Sequence, residues 1–242
     1  MSRKRLDDLL VEGGFFDSRE KAQRSIMAGL VTVGGRRMEK PGTLVASDRP
    51  IEVSGGEKFV GRGGLKLEAA LDAFGVAPAG RTCLDIGSST GGFTDCLLQR
   101  GATRVHAVDV GRGQLSWKLR NNPRVVIHEG INARYLTRSD VPDPVSLLVA
   151  DVSFISLTLI LPPAFGLMEP KSDIIVLIKP QFELPASDVG HGGVVRDAAL
   201  REHAVTKIRD FALASGRDWQ GVIESPIRGR EGNVEFLAHL LS

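Results

Sequence analysis

The sequence is poor in aromatic residues and in cysteine. Only 5% of its 242 residues are aromatic, among them two tryptophans and one tyrosine, and there are two cysteines. We interpret Cys83 and Cys96 as small core residues of a protein from a reducing compartment. The five histidines are scattered along the chain, so no group of His and Cys has the spacing of a metal site, and we expect no bound metal.

Long apolar runs are also missing. A membrane-spanning helix needs about 20 consecutive apolar residues, and the longest candidate, residues 157–167, is interrupted by Pro162 and Pro163. The first residues, M-S-R-K-R-L-D-D, lack the apolar core of a signal peptide. We therefore expect a cytoplasmic protein without a membrane partner. We also expect it to be monomeric.

The charges are nearly balanced but unevenly distributed. Apolar residues make up 42% of the chain and charged residues 25%, which is ordinary for a globular protein. Residues 1–62 carry 12 Lys and Arg against 9 Asp and Glu, whereas the remainder carries 19 against 20. The positive excess at the N-terminal end is typical of a nucleic-acid-binding module, and a solvated helix face explains it equally well.

The most informative stretch runs over residues 82–109. Its pattern predicts a strand over 82–86, a turn with three glycines over 87–92, a helix over 93–100 and a second strand over 104–108. The glycines would let the backbone approach a ligand closely, and the helix would offer free N–H groups at its N-terminus. Asp109, at the end of the second strand, could accept hydrogen bonds from both hydroxyls of a ribose. We interpret the stretch as a nucleotide-type pocket.

The spacing of the glycines narrows the choice of ligand. The order Gly87-x-x-x-Gly91-Gly92 is not the G-x-G-x-x-G of a dinucleotide site, and no lysine followed by Ser or Thr marks a P-loop. With Asp85 inside the first strand, the pattern D-x-G-x-x-x-G-G resembles the motif of S-adenosylmethionine-dependent methyltransferases. An ordinary strand–turn–helix unit without a ligand is the alternative.

The residues before this stretch predict two short helices, over 3–13 and 19–28, followed by a hairpin that turns at Gly34-Gly35. Their order, R-L-D-D-L-L, S-R-E-K-A-Q-R-S-I-M-A-G-L-V-T-V-G-G and D-R-P-I-E-V, resembles the S4 RNA-binding domain. Gly34 stands where that family usually has Asn. The resemblance implies that structured RNA contacts a basic surface formed by Arg3, Lys4, Arg5, Arg19, Lys21, Arg24, Arg36 and Arg37.

A glycine-rich boundary separates this region from the rest. Five glycines within residues 54–64 predict a flexible hinge, so we expect domains over 1–57 and 65–242 with a linker over 58–64. Strands then alternate with helices, which predicts a parallel sheet covered on both faces. A helix over 154–167 should be kinked or split at its prolines, and residues 181–197 should form a long functional loop.

Charged residues follow several of the predicted strands. Ligands of an open parallel sheet bind beyond the carboxyl ends of its strands, and a final antiparallel strand would begin at that same edge. Each charge alone is more often an ordinary exposed one. Two lysines and two carboxylates together suit methyl transfer to a hydroxyl, which must be oriented and partly deprotonated. These residues are Lys66, Asp151, Lys179 and Glu235.

That arrangement is similar to the K-D-K-E tetrad of FtsJ-like RNA ribose 2′-O-methyltransferases. Nearly the whole chain resembles the TlyA (haemolysin A) family, through R-G-G-L-K-L, D-I-G-S-S-T-G-G-F-T-D, A-V-D-V-G-x-x-Q-L, D-V-S-F-I-S, I-K-P-Q-F-E, G-G-V-V-R-D and S-P-I-x-G-x-x-G-N-x-E. The resemblance implies a Rossmann-like methyltransferase fold with a mostly parallel seven-stranded sheet and an antiparallel last strand, preceded by a small α+β S4 domain. It also implies methylation of cytidine 2′-hydroxyls in ribosomal RNA or ribosomal subunits.

The same resemblance implies roles for individual residues. Lys66, Asp151, Lys179 and Glu235 would be catalytic, with Lys179 as the base. Asn132 falls where related methyltransferases often place an Asp beside the adenine. The S-adenosylmethionine site would include Asp85, Gly87, Ser88, Ser89, Thr90, Gly91, Gly92, Phe93, Asp109, Val110, Asn132 and Asp151.

Three other functions compete with this one. The chain could be a non-catalytic RNA-binding or ribosome-assembly factor, against which the complete tetrad argues. It could be a membrane-active haemolysin, but it lacks an apolar span and a strong amphipathic stretch outside its core helices. A dinucleotide-dependent oxidoreductase has a different glycine spacing.

Overall fold

The computed structural model describes residues 3–16, 18–55 and 58–242. The chain divides into two compact units: a smaller unit of Met1–Lys58 with Ser116–Asn121, and a larger unit of Phe59–Leu115 with Asn122–Ser242. The strands are β1 (Arg3–Arg5), β2 (Val31–Val33), β3 (Arg36–Met38), β4 (Leu44–Ala46), β5 (Ile51–Val53), β6 (Thr82–Ile86), β7 (Arg104–Asp109), β8 (Val125–Glu129), β9 (Val145–Ala150), β10 (Met168–Ile178), β11 (Asp218–Glu224) and β12 (Phe236–Leu241). The helices are α1 (Leu6–Glu12), α2 (Arg19–Met27), α3 (Gly63–Phe74), α4 (Gly92–Gln99), α5 (Trp117–Arg120), α6 (Leu157–Phe165), α7 (Pro180–Glu183) and α8 (Ala198–Ala214), with 3-10 turns at Ala133–Tyr135 and Ala186–Asp188.

The described part of the smaller unit contains helices α1 and α2, the short helix α5 and two small antiparallel sheets. Strands β3, β2 and β5 form one sheet, and β1 pairs with β4 in the other. Gly34 and Gly35, with φ of 56° and 78°, turn the β2–β3 hairpin as expected. The predicted helix over 3–13 begins only at Leu6, because residues 3–5 pair with β4. This long-range pairing overrides the local helical pattern. The apolar core consists of Leu6, Leu10, Ala22, Ile26, Val31, Val33 and Val45.

The larger unit contains a seven-stranded sheet in the order β11-β12-β10-β9-β6-β7-β8. The five strands from β10 to β8 are parallel, and β12 runs antiparallel to β10. The predicted fold, a mostly parallel seven-stranded sheet with an antiparallel last strand, is confirmed. Alternate residues of the buried strands, such as Leu84 and Ile86, share a core with α6 and α8. On the other side of β6, Asp85 bonds to Thr94 of α4, and α4 packs against α3.

Several element boundaries differ from the prediction. Helix α6 begins at Leu157, where the Ser156 hydroxyl caps it by accepting from Thr158 N–H, and it continues through both prolines as one helix. Residues 59–64, predicted as part of a linker, lie in the larger unit. There Phe59 is buried, and the Val60 N–H donates to Asp95 Oδ2 over 3.0 Å. Helix α3 starts at Gly63, inside the predicted linker.

No helix among the described residues is long and apolar enough to cross a membrane.

Candidate active site

The strand register brings polar residues to one edge of the large sheet. Ile86 pairs with Ala150 at the ends of β6 and β9, so Gly87 and Asp151 lie side by side just beyond them. The Asp151 N–H donates to the Ile86 carbonyl over 2.9 Å. Ile178 pairs with Phe236, which places Lys179 and Glu235 one step beyond that pair. The antiparallel direction of β12 therefore brings its first residues to the carboxyl ends of the parallel strands.

Lys179 pairs with Asp151 at this edge. The Lys179 Nζ forms an ion pair with Asp151 Oδ1 over 2.6 Å. The same Nζ donates to the Ser153 hydroxyl over 3.1 Å. Both side chains of the ion pair are largely buried, with 11% and 20% of their surface exposed. Two neighbouring strand ends thus hold one lysine in a defined position.

Lys66 pairs with Glu235 in a more buried position. Lys66 Nζ donates to Glu235 Oε2 over 2.5 Å, and 10% and 3% of the two side chains is exposed. Lys66 lies in the first turn of α3, where the helix dipole disfavours a cation, so the carboxylate of Glu235 offsets that placement. Gly229 approaches closely, since a Cβ there would lie 2.4 Å from Glu235 Oε1. The four residues of the predicted tetrad form two ion pairs.

A cleft of about 150 Å³ opens beside Asp151. Gly87 forms part of its floor with φ of 85°, and a Cβ there would lie 2.3 Å from the Asp151 carbonyl oxygen. The turn continues through Ser89, a non-glycine residue with φ of 47°. The cleft is lined by Gly61, Arg62, Gly63, Gly87, Ser88, Ser89, Thr90, Gly92, Phe93 and Asp151.

Part of the cleft is lined by residues that the sequence analysis assigned to a linker. Gly61, Arg62 and Gly63 line it. A Cβ on Gly92 would lie 3.0 Å from both Gly61 O and Gly64 N, and one on Gly61 would lie 2.8 Å from Thr90 Oγ1. These close approaches need glycine on both sides. Both glycine pairs are visible in the sequence, in R-G-G-L-K-L and in D-I-G-S-S-T-G-G-F-T-D. That the two motifs touch is not visible there, because their contact depends on the fold.

Seven of the predicted cofactor residues line the cleft, and five lie outside it. Asp109 adjoins the turn: Ser89 N–H donates to its Oδ2 over 2.8 Å, and Gly111 N–H to its Oδ1 over 2.7 Å. Gly91 is the N-cap residue of α4, with φ of 100°. The Asn132 side chain is exposed and accepts from the Arg134 N–H over 3.1 Å. Val110 is 72% exposed, and Asp85 is in the core.

Asp85 is fully buried behind the glycine turn. Its Oδ2 accepts from the Thr94 hydroxyl over 2.6 Å, while Oδ1 has no hydrogen-bond partner among the described residues. Burial raises the pKa of Asp85 to about 7, the Thr94 hydrogen bonds oppose the rise, and the negative charges of Asp151 and Asp109 add to it. A buried acid without a full set of partners favours a nearby positive charge.

These features suit a positively charged, nucleoside-containing cofactor. The glycines leave space that a Cβ at Gly87, Gly61 or Gly92 would fill. Asp109, at the end of β7, is placed where a ribose is commonly bound. Asp151, which lines the cleft, supplies a carboxylate there.

The smaller unit presents the predicted RNA-contacting residues on its surface. All eight basic side chains are exposed. Two of them also bind the buried carboxylate of Asp7: Arg5 donates to it through two bonds of 2.9 Å, and Arg19 through one of 2.9 Å. Gln23 adds a bond of 2.8 Å. Arg5, followed by Gln23 and Arg19, holds the pKa of Asp7 well below its ordinary value.

Comparison with known families divides the chain in two. The model for the S4 domain matches residues 4–49. The model for the FtsJ-like methyltransferase matches residues 59–241, which is most of the chain.

Several proteins resemble the chain over nearly its full length. The “16S/23S rRNA (cytidine-2′-O)-methyltransferase TlyA” of Mycobacterium tuberculosis is 47% identical over 98% of this chain and 90% of its own length. “Hemolysin A” of Brachyspira hyodysenteriae is 44% identical over 98% of this chain and 99% of its own. A solved structure, “Putative hemolysin from Streptococcus thermophilus”, is 42% identical, covers 100% of this chain and 89% of its own, and superposes with a TM-score of 0.75.

Proposed function

Because this chain belongs to the FtsJ-like methyltransferase family, and within it to the TlyA family, we propose that it is an S-adenosylmethionine-dependent 2′-O-ribose methyltransferase acting on ribosomal RNA at cytidine. One observation carries the proposal. Two lysines, each ion-paired to a carboxylate, lie at the sheet edge that also holds the glycine-lined cleft. Methyl transfer to a sugar hydroxyl needs this combination of a methyl-donor site and groups that orient and deprotonate the hydroxyl.

We propose a separate task for each ion pair. Lys179 Nζ, in its neutral form, would accept the proton of the ribose 2′-hydroxyl, while Asp151 and Ser153 hold that nitrogen in place. The more buried pair of Lys66 and Glu235 would orient the ribose. S-adenosylmethionine, when bound, supplies the activated methyl group. The cleft residues Gly87, Ser89, Phe93 and Asp151, with Asp109 beside them, would hold it.

The smaller unit would bring the RNA to this site. Its exposed basic residues can contact phosphates, which supply most of the affinity of such interfaces. Two of these residues are fixed by Asp7 and therefore present their charges with little freedom. Action on ribosomal RNA would place the protein in the cytoplasm.

The test is methylation of ribosomal subunits and of free ribosomal RNA by the purified protein. We expect 2′-O-methylcytidine to appear only when S-adenosylmethionine is present, as mapped by mass spectrometry. Lys179→Ala should lower the rate by about 10²–10⁴-fold. Lys171→Ala, which removes an exposed lysine from the same strand β10, serves as the matched control.

Two results would contradict the proposal. Binding of RNA without methylation of any subunit or RNA would favour the non-catalytic binding factor. Equal rates for Lys179→Ala and Lys171→Ala would remove Lys179 from the chemistry.

A further inference from the structure

Two chain segments meet around the Lys179–Asp151 pair. One is the connection from β9 to α6, residues 151–157, and the other is residues 179–183, from the end of β10 through α7; we call the two together the clasp. At the end of the clasp nearest the sheet, Lys179 contacts Asp151 and Ser153. In the middle, the rings of Phe154 and Phe182 lie 5.0 Å apart between centroids. Contacts thus join the two segments at Lys179 and again at Phe182.

At the other end of the clasp, the two segments are joined by a buried glutamate that has not yet been given a role. Glu183 is 4% exposed. Its Oε1 accepts from the Leu157 N–H over 2.8 Å, and its Oε2 accepts from the Ser156 hydroxyl over 2.5 Å. Both bonds cross from one segment to the other, and the Leu157 N–H is one of the groups that a helix N-terminus leaves without an intrahelical partner. Glu183 therefore fixes where the first segment enters α6.

A lysine of α8 supports this carboxylate. Lys207 Nζ lies 3.3 Å from Glu183 Oε2 and donates to the Glu183 carbonyl over 2.5 Å. The buried Glu183 side chain thus accepts two hydrogen bonds and faces an ammonium group. Glutamine at this position would keep one oxygen for the Leu157 N–H, but its amide N–H groups would face the Lys207 ammonium, which only donates, and the bond to the Ser156 hydroxyl would have to reverse its direction.

The backbone between the two ends is held in an unusual conformation. Phe154 has φ of 63°, in a region that residues with a Cβ rarely adopt, and its side chain is 90% exposed. Such conformations persist when the surrounding contacts determine them. On either side of Phe154, those contacts are Ser153 with Lys179 and Ser156 with Glu183.

We infer that Glu183 is a positioning residue for catalysis: by joining the two segments of the clasp, it sets the placement of Lys179 Nζ relative to Asp151 and Ser153. The catalytic consequence of this inference rests on the proposed function. The coupling between Glu183 and Lys179 rests on the contacts alone. A displacement of about 1 Å at a reacting group lowers rates by about 10²-fold. Loosening the clasp should therefore act on turnover rather than on binding.

The first experiment measures kinetics of Glu183→Gln on ribosomal subunits. We expect kcat to fall about tenfold or more, while KM for RNA and Kd for S-adenosylmethionine stay within about threefold of wild type. Glu202→Gln, which makes the same change at an exposed position of α8, should match wild type. Asp197→Ala removes the N-cap of α8 and should lower the melting temperature without lowering kcat.

The second experiment measures the coupling without relying on activity. Brief acetylation with an excess of acetic anhydride, followed by mass spectrometry, reports how accessible each lysine is. Lys179 should be acetylated several-fold faster in Glu183→Gln than in wild type, whereas exposed Lys171 should react equally in both. Asp197→Ala should leave Lys179 protected.

The outcomes distinguish a failure of the positioning role of Glu183 from a failure of the proposed methyltransferase function. Faster acetylation of Lys179 in a protein whose wild type methylates no RNA would keep the coupling and refute the proposed function. Unchanged acetylation, or a kcat that falls only in proportion to melting temperature across all three variants, would overturn the positioning role of Glu183.

Discussion

Lys66 and Glu235 are 169 positions apart in the chain, yet the ammonium group of one lies 2.5 Å from the carboxylate of the other. The pair joins the first turn of α3 to the residue before β12. Both side chains are almost completely buried. A buried pair of this kind is costly to break, because either partner alone is an uncompensated charge.

Glu235→Gln should destabilise the larger unit and abolish methylation. The Lys66 ammonium would remain buried without its carboxylate, and we expect a loss of about 3–5 kcal/mol in the free energy of unfolding. Urea denaturation measures this loss, and methylation of ribosomal subunits measures activity. The double variant Lys66→Met/Glu235→Leu should recover most of the stability, because an apolar pair of similar size needs no counter-charge, but it should remain inactive. Methylation by the double variant would show that the pair only supports the fold.

Gly87→Ala should lower the free energy of unfolding by more than the strain of its positive φ alone explains. The residue has φ of 85°, and its Cβ would lie 2.3 Å from the Asp151 carbonyl oxygen. Gly80 provides the control, since its φ of 76° is similar and a Cβ there meets nothing within 4 Å. We expect Gly80→Ala to cost about 1 kcal/mol and Gly87→Ala at least about 3 kcal/mol. Calorimetric titration should show weaker S-adenosylmethionine binding for Gly87→Ala only, and equal affinities for the two variants would contradict the assigned cleft.

Asp85→Asn should become relatively more stable than wild type as pH rises. The pKa of Asp85 is raised to about 7 in the folded protein, above its ordinary value of 3.8. The stability that protonated Asp85 contributes is therefore complete below about pH 4 and is lost as pH rises through 7. The complete loss in the free energy of unfolding is on the order of 4 kcal/mol. Unfolding by urea at pH 5 and pH 8 measures about 2–3 kcal/mol of it, because the remainder falls below pH 5. Asp218→Asn, at an exposed acid of β11, is the control. An advantage of Asp85→Asn that does not grow with pH would contradict the buried, partly unpaired carboxyl.

Two arginines of the smaller unit should respond differently to substitution. Arg36 is exposed on the β2–β3 hairpin. Arg36→Gln should weaken RNA binding and reduce the slope of log affinity against log salt by about 0.9, with an unchanged melting temperature. Arg19 also donates to buried Asp7, so Arg19→Gln should in addition destabilise the unit by about 1 kcal/mol. Filter binding at several salt concentrations, combined with thermal unfolding, tests both; an unchanged salt slope for Arg36→Gln would remove the hairpin from the RNA surface.

The sequence predicted the elements around the glycine turn well. Strand β6 has the bounds expected from its pattern, and β7 extends one residue further, to Asp109. These are buried parallel strands, which appear as short apolar runs separated by glycine, so local pattern and tertiary packing agree. Prediction was poorer at residues 3–5 and 59–64, where the outcome depends on distant partners. Residues 3–5 pair with β4, and Val60 bonds to Asp95.

Prediction of the candidate site had a similar limit. That Asp151 and Lys179 follow apolar strands is visible in the sequence, and their shared edge follows from the topology of a parallel sheet. Which lysine pairs with which carboxylate is not visible there. Asp85 shares a motif with the cleft glycines but lies in the core, because strand residues alternate between faces and its face is covered by α4.

By itself, the sequence determined the family, the order of strands and helices, and the kinds of residues available for chemistry, because these depend on local pattern and on motif spacing. Only the tertiary structure decided that the glycine turn meets the residues of a supposed linker, that the tetrad divides into two ion pairs, and that Glu183 closes the clasp beneath Lys179. Each of these contacts joins segments that are far apart in the chain, or that meet only when strands align in register. Burial then gives those contacts their energetic weight, since an unpaired charge is costly only where water is excluded.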